Sequence, residues 1–291
     1  MKPGTIKSDF ILILTATIWG LAFVAQRLGM EHVGPFTFNG IRFALGSLSL
    51  LPVIFLTRNS TTWKNNTGLI KSGTIAGIVL FFAISFQQVG LVYTTAGKAG
   101  FITGLYVVFV PVFAFLFKQG KTSTATWLGA IFACIGMYLL SVTKDMSMNR
   151  GDFLVLLSGI CFACHLLVIG KMTNRFNTTW LSLFQCGVCS VLSLIVAAIF
   201  ETFIISDILS VTIPLIYGGV FSVGIAYSLQ IYGQKYSPAS HAAIILSLES
   251  VVAAIGGWII LNEVLSGRGI FGCTLMFAGM LISQLFTKKL T

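Results

Sequence analysis

The sequence reads YTTAGKAGFITGL from Tyr93 to Leu105 and YSPASHAAIILSL from Tyr236 to Leu248, and the two stretches align at an offset of 143 residues. One register holds over more than forty residues, which chance rarely produces. Further equivalent positions at this offset are Asp9 and Asp152, Gln87 and Gln230, Gly90 and Gly233, Gly129 and Gly272, and Gly136 and Gly279. The chain therefore contains an internal repeat, with one copy at residues 1–143 and the other at residues 144–291.

The composition of the chain excludes most classes of protein. Of its 291 residues 56% are hydrophobic and 9% are charged, and its mean hydropathy is +0.94. A soluble domain carries about 25% charged residues, so this chain cannot be a soluble enzyme, a nucleic-acid-binding module or a disordered tail. A membrane span needs about 20 apolar residues, and 291 residues with short loops hold roughly ten spans. We expect an all-α polytopic membrane protein.

Apolar stretches broken by Gly, Pro, Asn or charged residues predict ten transmembrane helices. The predicted segments are residues 10–28, 35–56, 70–91, 96–117, 125–141, 152–171, 179–200, 212–232, 240–261 and 268–286. The first stretch follows a basic start, as in a signal peptide, but no small-residue cleavage site closes it cleanly. We therefore interpret it as the first helix.

The distribution of positive charge predicts the orientation of the chain. With a cytoplasmic N-terminus, twelve Lys and Arg residues lie on the cytoplasmic side and four on the other side. The cytoplasmic residues are Lys2, Lys7, Arg58, Lys64, Lys71, Lys118, Lys121, Lys171, Arg175, Lys235, Lys288 and Lys289, and the others are Arg27, Lys144, Arg150 and Arg268. This bias places both termini in the cytoplasm. The same bias explains the net charge of +10, so no nucleic-acid partner is expected. We expect the protein to lie in a bacterial plasma membrane, that is, the inner membrane.

Five helices in each repeat force the two repeats into opposite orientations. Inverted repeats are the architecture of secondary transporters, in which the binding site lies near the bilayer midplane where the repeats meet. The alternative is an old duplication that does not transport. Because the symmetry lies within one chain, a monomer is sufficient and no dimer is required.

Two charged side chains lie deep within predicted spans. Glu249 lies nine residues into its helix, close to the midplane, where an ionisable side chain is costly and marks a functional site by default. Unpaired, its carboxyl would take up a proton, so Glu249 is a candidate for proton coupling or for binding a cation. Arg42 could hold a substrate carboxylate through two hydrogen bonds. The alternative for Glu249 is a structural ion pair with Arg42.

Other polar residues in the spans complete the candidate binding site. Lys98 and His241 are repeat equivalents near opposite mouths, where they could attract an anionic substrate, act in gating, or reach the lipid headgroups. His165 could relay protons or be a hydrogen-bonded core histidine. The remaining candidates for a substrate cavity are Trp19, Asn39, Gln87, Tyr106 and Gln230, of which Tyr106 is the repeat equivalent of Glu249.

No cofactor or metal is expected. Cys161 and Cys164, and Cys186 and Cys189, have the spacing of a four-cysteine zinc site, but both pairs lie inside spans. A phosphate-binding loop of the G-x-x-x-x-G-K-[ST] type does not occur in the sequence. This chain alone therefore cannot use ATP.

The residues resemble the drug/metabolite transporter superfamily, specifically its EamA-like ten-helix members. The resemblance rests on Trp19-Gly20, on Arg42 after Pro35–Asn39, on the small residues at Ala96–Gly100 and Ala239–Ala243, and on Asn262-Glu263-Val264-Leu265 before a glycine-rich last helix. The first repeat departs from the family pattern, because Lys118-Gln119-Gly120-Lys121 stands where a Gly-Glu-Arg-like turn is usual. The resemblance implies movement of small metabolites, amino acids, amines or drugs, often as export.

We therefore predict a secondary transporter, an exporter or exchanger, that works by alternating access and is not an enzyme. A membrane-embedded enzyme is the first alternative, but the spans offer one deep carboxylate and no evident pair of catalytic partners. A channel-like facilitator without coupling is the second alternative, and the sequence shows no filter-like re-entrant stretch.

Overall fold

The computed structural model describes residues 3–56, 67–117, 123–141, 149–264 and 266–287, and these residues form a bundle of helices. A π-helical segment at Tyr217–Ala226 lies between α10 and α11. The α-helices are α1 Pro3–Gly29, α2 Pro35–Leu56, α3 Thr67–Leu91, α4 Ala96–Gly104, α5 Tyr106–Leu116, α6 Thr124–Ser141, α7 Arg150–Met172, α8 Thr178–Phe200, α9 Ile205–Ser210, α10 Thr212–Ile216, α11 Tyr227–Gln234, α12 Ala239–Leu246, α13 Glu249–Ile260 and α14 Gly267–Thr287.

Eight helical stretches are long and apolar enough to cross a membrane, and two further apolar helices, Thr124–Leu139 and Gly267–Ser283, are shorter. The protein is a multi-pass membrane protein. Ten spans and cytoplasmic termini remain predictions, because part of the charge bias lies outside the described residues. The basic residues concerned are Lys2, Arg58, Lys64, Lys118, Lys121, Lys144, Lys288 and Lys289, and the Lys118–Lys121 turn and Leu265 of the family comparison lie there too.

Local signals in the sequence set several helix starts. Asn149 accepts a hydrogen bond from the Asp152 amide, while the Asp152 carboxylate accepts one from the Asn149 amide, so α7 begins with a complete capping box. Thr95 caps α4 by accepting from the Lys98 amide. Asn177 caps α8 in the same way. The first helix begins at Pro3, earlier than the predicted start at residue 10.

Segments 96–117 and 240–261, each predicted as one helix, are interrupted at repeat-equivalent positions. The Leu105 amide donates to the Ile102 carbonyl at 3.2 Å, and the Leu248 amide donates to the Ile245 carbonyl at 3.2 Å. Hydrogen bonds over three residues tighten the chain into a 3₁₀ turn. After the turn, Tyr106 begins α5 and Glu249 begins α13. Segment 212–232, also predicted as one helix, contains the π-helical segment.

Helices of one repeat pack mainly against helices of the other repeat. The most extensive helix contacts, α6 with α14, α2 with α8 and α3 with α7, all join different repeats. Where α6 crosses α14, Gly129 lies against the backbone of Gly279, and Gly136 lies against the backbone of Gly272. Gly129 is equivalent to Gly272 and Gly136 to Gly279, so the two contacts are related by the repeat, like the paired contacts of a two-fold dimer.

Candidate functional site

A cavity lies at the centre of the bundle, and six of the eight residues predicted to bind substrate line it. The cavity volume is about 30 Å³, which leaves room for ordered water and is smaller than the pockets that hold small molecules. The six predicted residues are Trp19, Arg42, Gln87, Tyr106, Gln230 and Glu249. Both repeats contribute to the lining, as the prediction of a site between them requires.

Arg42 enters the cavity from α2 as a buried cation. Its Nε donates to Asn39 Oδ1 at 3.1 Å, and its Nη2 donates to Gln88 Oε1 at 3.4 Å. The guanidinium carbon lies over the rings of Phe38 and Phe43, 5.5 Å and 5.3 Å from their centroids. These neutral neighbours orient the guanidinium, but no carboxylate of the described chain balances its charge.

Glu249 enters the cavity at the start of α13. The residue is 4% exposed, and its Oε1 atom has no hydrogen-bond partner within the structure. Tyr106, the first residue of α5, lies beside it and interacts with it electrostatically, although among the described residues no group lies within 3.5 Å of the Tyr106 hydroxyl in hydrogen-bonding geometry. Buried polar groups normally have a partner, so this end of the cavity presents a carboxyl and a phenol with unused hydrogen-bonding capacity.

Arg42 and Glu249 do not pair with each other. Among the described residues no ion pair joins Arg42 to Glu249, whereas Lys98 contacts Asp152 and His241 contacts Asp9. The alternative of a structural Arg42–Glu249 pair is therefore wrong. The cavity instead contains one cation and one carboxyl that are held apart.

Amide side chains supply further polar contacts. Gln87 Nε2 donates to Thr103 Oγ1 at 3.2 Å, and Gln230 Nε2 donates to Gln234 Oε1 at 3.0 Å. The side-chain carbonyl oxygens of Gln230 and Gln26 are buried and have no hydrogen-bond partner among the described residues. Acceptor groups are therefore available on two sides of the cavity.

An aromatic surface completes the cavity. Trp19 Nε1 donates to the Ser222 carbonyl at 3.1 Å, which fixes the indole. The ring centroid of Tyr227 lies 4.8 Å from that of Trp19, and Phe23 and Phe162 also line the cavity. Ser222 belongs to the π-helical segment, and such segments frequently occur at functional sites.

Three predicted site residues lie outside the cavity lining. Asn39 Oδ1 accepts the hydrogen bond from Arg42 Nε, and Asn39 Nδ2 lies 3.5 Å from the Ile84 carbonyl oxygen. Lys98 pairs with Asp152 at 2.6 Å, because the start of α4 meets the start of α7. His165, predicted to relay protons, is buried with Nε2 at 2.9 Å from Gln185 Oε1, and its ring stands edge-on to Tyr227 at 6.1 Å.

The structure adds polar lining residues that the sequence did not single out. They are Gln26, Thr103, Ser222 and Tyr227. Gln26 lies seven residues after Trp19 on α1, so helical periodicity places it on the same face. Thr103 lies in α4, just before the 3₁₀ turn at Leu105, and no signal in the sequence marked that turn.

The comparisons with known proteins agree with this architecture. The sequence profile of the EamA-like transporter family matches residues 6–142 and again residues 149–285. The chain belongs to the EamA-like transporter family. Both ends of the two matches are separated by 143 residues, the offset of the internal repeat.

Relatives and a solved structure extend the comparison over the whole fold. A protein of Archaeoglobus fulgidus named as an uncharacterized transporter is 32% identical over 96% of this chain and 86% of its own length. The Bacillus subtilis protein named uncharacterized transporter YcxC is 24% identical over 96% of this chain and 93% of its own. A crystal structure with 17% identity superimposes with a TM-score of 0.78 over 96% of this chain and 98% of the other, which shows a shared fold.

Proposed function

We propose that this EamA-like protein is a secondary transporter of small zwitterionic metabolites of the amino-acid type. The observation that carries the proposal is the presence, in one cavity, of a buried guanidinium without a carboxylate and a buried carboxyl without a cation. Buried charges are otherwise paired, because an unpaired charge is costly to take out of water. A zwitterion would bring the missing partner to both groups.

In the proposed complex, Arg42 holds the substrate carboxylate and Glu249 holds the substrate ammonium. The fork of the guanidinium matches a carboxylate in two parallel hydrogen bonds. Asn39 and Gln88 fix the guanidinium from the side. Trp19, Phe23 and Tyr227 would contact the apolar part of the substrate.

Glu249 also provides a route for coupling. A carboxyl can carry a proton when no cation is bound beside it, whereas a bound ammonium group favours the carboxylate. Substrate binding would then release a proton, and proton binding would release substrate. Competition of this kind produces exchange of substrate against protons, and His165 stays a second candidate for proton transfer.

The proposal places the protein in a bacterial plasma membrane, with ten spans and both termini in the cytoplasm. The two repeats would rock about the central cavity, so that access alternates between the two faces of the membrane. Transport would run in the direction of an exporter or an exchanger. The partners are the substrate and the lipid bilayer, and one chain is sufficient.

The test is flux through purified protein in liposomes. A mixture of amino acids, the corresponding amines and nucleosides is loaded, and each compound is followed by mass spectrometry with and without a proton gradient. Selective movement of amino acids supports the proposal. Movement of amines or nucleosides in preference to amino acids contradicts the substrate class, and absence of any gradient effect favours an uncoupled facilitator.

A further inference from the structure

Two side-chain pairs, each made of a basic group and a carboxylate, join the repeats, and they are equivalent to each other. Lys98 Nζ lies 2.6 Å from Asp152 Oδ2, and His241 Nε2 lies 3.2 Å from Asp9 Oδ1. Lys98 is the repeat equivalent of His241, and Asp9 is that of Asp152. Each pair therefore takes its basic group from the start of one helix and its carboxylate from the other repeat.

The two pairs lie at opposite ends of the bundle. Asp9 and Arg27 are separated by about 27 Å along α1, at 1.5 Å per residue. Arg27 Nη1 donates to the carbonyl of Leu91, the last residue of α3, at 2.9 Å. Leu91 lies shortly before Lys98, so the Lys98 pair is at the Arg27 end. The cavity-lining residues of α1, which begin at Trp19 and end at Gln26, lie between the two pairs.

Each pair has a fixed anchor. Asp152 is 1% exposed and also accepts hydrogen bonds from Thr94 Oγ1 at 2.9 Å and from the Asn149 amide at 3.0 Å. The Lys98 side chain, in contrast, is 33% exposed. At the other end, His241 Nδ1 lies 3.2 Å from Ser283 Oγ. Asp152 is thus held by residues of both repeats, and His241 is held by Ser283 of its own repeat.

We propose that the Lys98–Asp152 and Asp9–His241 pairs are the two latches of the transport cycle, each closing one end of the cavity. The inference rests on alternating access in the proposed function, but not on the zwitterionic substrate. Rocking of the repeats separates the starts of α4 and α7 at one end, or the starts of α1 and α12 at the other. In the structure both latches are closed.

The two latches differ in chemistry. One joins an ammonium group to a carboxylate at 2.6 Å, and the other joins an imidazole nitrogen to a carboxylate at 3.2 Å.

The experiment measures access to the cavity from each face and needs no substrate. Ala22 is 1% exposed and lines the cavity, and Ala22→Cys provides a thiol there. A membrane-impermeant maleimide is added to one face of sealed vesicles, and labelling at residue 22 is quantified by peptide mass spectrometry, which separates it from the six native cysteines. Tyr93→Cys and Lys171→Cys place exposed thiols at opposite ends of the bundle. Their labelling shows which end of the bundle lies at which face of the membrane, and it corrects for the intrinsic reactivity of thiols.

Lys98→Gln should raise labelling from the Lys98 face about fivefold, because the population shifts towards the state open at that end. His241→Gln, which keeps a partner for Ser283, should do the same from the opposite face. Lys98→Arg retains the ion pair and is the matched control. Equal effects on both faces, or no effect from either Gln variant in folded protein, would overturn the proposal.

If amino-acid flux fails while both latches behave as expected, the proposed substrate class is overturned and the latches are not.

Discussion

Tyr106 and Glu249 occupy equivalent positions in the two repeats, each as the first residue after a 3₁₀ turn, and they lie beside each other in one cavity. The backbones of the two repeats are thus equivalent at this point, but the two side chains differ in chemistry. One repeat contributes a neutral phenol and the other a carboxyl, so the cavity has a single acidic group. The predictions on charge and coupling follow from this difference.

Replacement of Glu249 with Gln should remove the pH dependence of flux. An amide has nearly the shape of a carboxyl but cannot exchange a proton or balance an ammonium group. Affinity for an amino acid should fall about ten- to hundredfold, the usual effect of losing a charged hydrogen bond. The measurement is flux in liposomes between pH 6 and 8, with binding followed in detergent.

The matched control for Glu249→Gln is Tyr106→Phe, which removes the neighbouring hydroxyl and leaves the carboxyl in place. This variant should keep its pH dependence. Wild-type pH dependence in a folded Glu249→Gln variant would show that coupling lies elsewhere, and His165→Gln would then be the next variant to measure.

Replacement of Arg42 with Gln should weaken binding of amino acids far more than binding of the corresponding amines, which lack the carboxylate. Glu249→Gln should show the opposite preference and spare carboxylic acids without an amino group. Arg42→Lys keeps the charge but loses the planar fork, so intermediate affinity is expected. Equal losses for amino acids and amines in Arg42→Gln would argue that Arg42 has a structural role alone.

Gly279→Ala should destabilise the crossing of α6 and α14. The added methyl group would lie 2.6 Å from the Gly129 carbonyl oxygen and 3.1 Å from the Ala133 amide nitrogen, and neither backbone can move as a side chain can. Overpacking of this kind costs about 1–3 kcal/mol. Gly267→Ala, where no atom lies within 4 Å of the new methyl group, is the control. The thermal unfolding midpoint in detergent should fall for the first variant and remain unchanged for the second.

Glu201→Ala should loosen the start of α2. The two carboxylate oxygens accept from the Phe36 amide at 2.9 Å and the Thr37 amide at 2.7 Å. Loss of a side-chain cap costs about 1 kcal/mol, and the unfolding midpoint should fall accordingly. Glu201→Gln keeps an acceptor but not the charge, so its effect should be smaller. Asp207→Ala removes a carboxylate whose hydrogen bond is with the adjacent Ser206, and an equal effect there would contradict the capping role.

Much of the architecture could be predicted because the membrane imposes strong patterns on a sequence. Apolar segments mark the helices, and the offset of 143 residues locates the repeats. The repeat also explains why Gln87 and Gln230 both reach the cavity. The depth of Arg42 and Glu249 in their segments marked them as cavity residues, since deep charges need an interior site.

What the sequence did not show depends on contacts between distant positions. The equivalence of Lys98 with His241 was visible, but their partners Asp152 and Asp9 emerge only when the repeats are packed together. The 3₁₀ turns at Leu105 and Leu248 were missed because leucine is a good helix former. Glu201 and Glu263 likewise cap helices that are remote in sequence.

The paired glycine contacts between α6 and α14 have a consequence for the energetics of the cycle. If the two repeats were identical, exchanging their roles would convert a state open to one face into a state open to the other, and the two states would be equal in energy. The resting preference of the protein therefore resides in the positions where the repeats differ, such as Lys98 against His241 and Tyr106 against Glu249. Selection could retune this preference by one substitution at such a position, without altering the glycine contacts between α6 and α14.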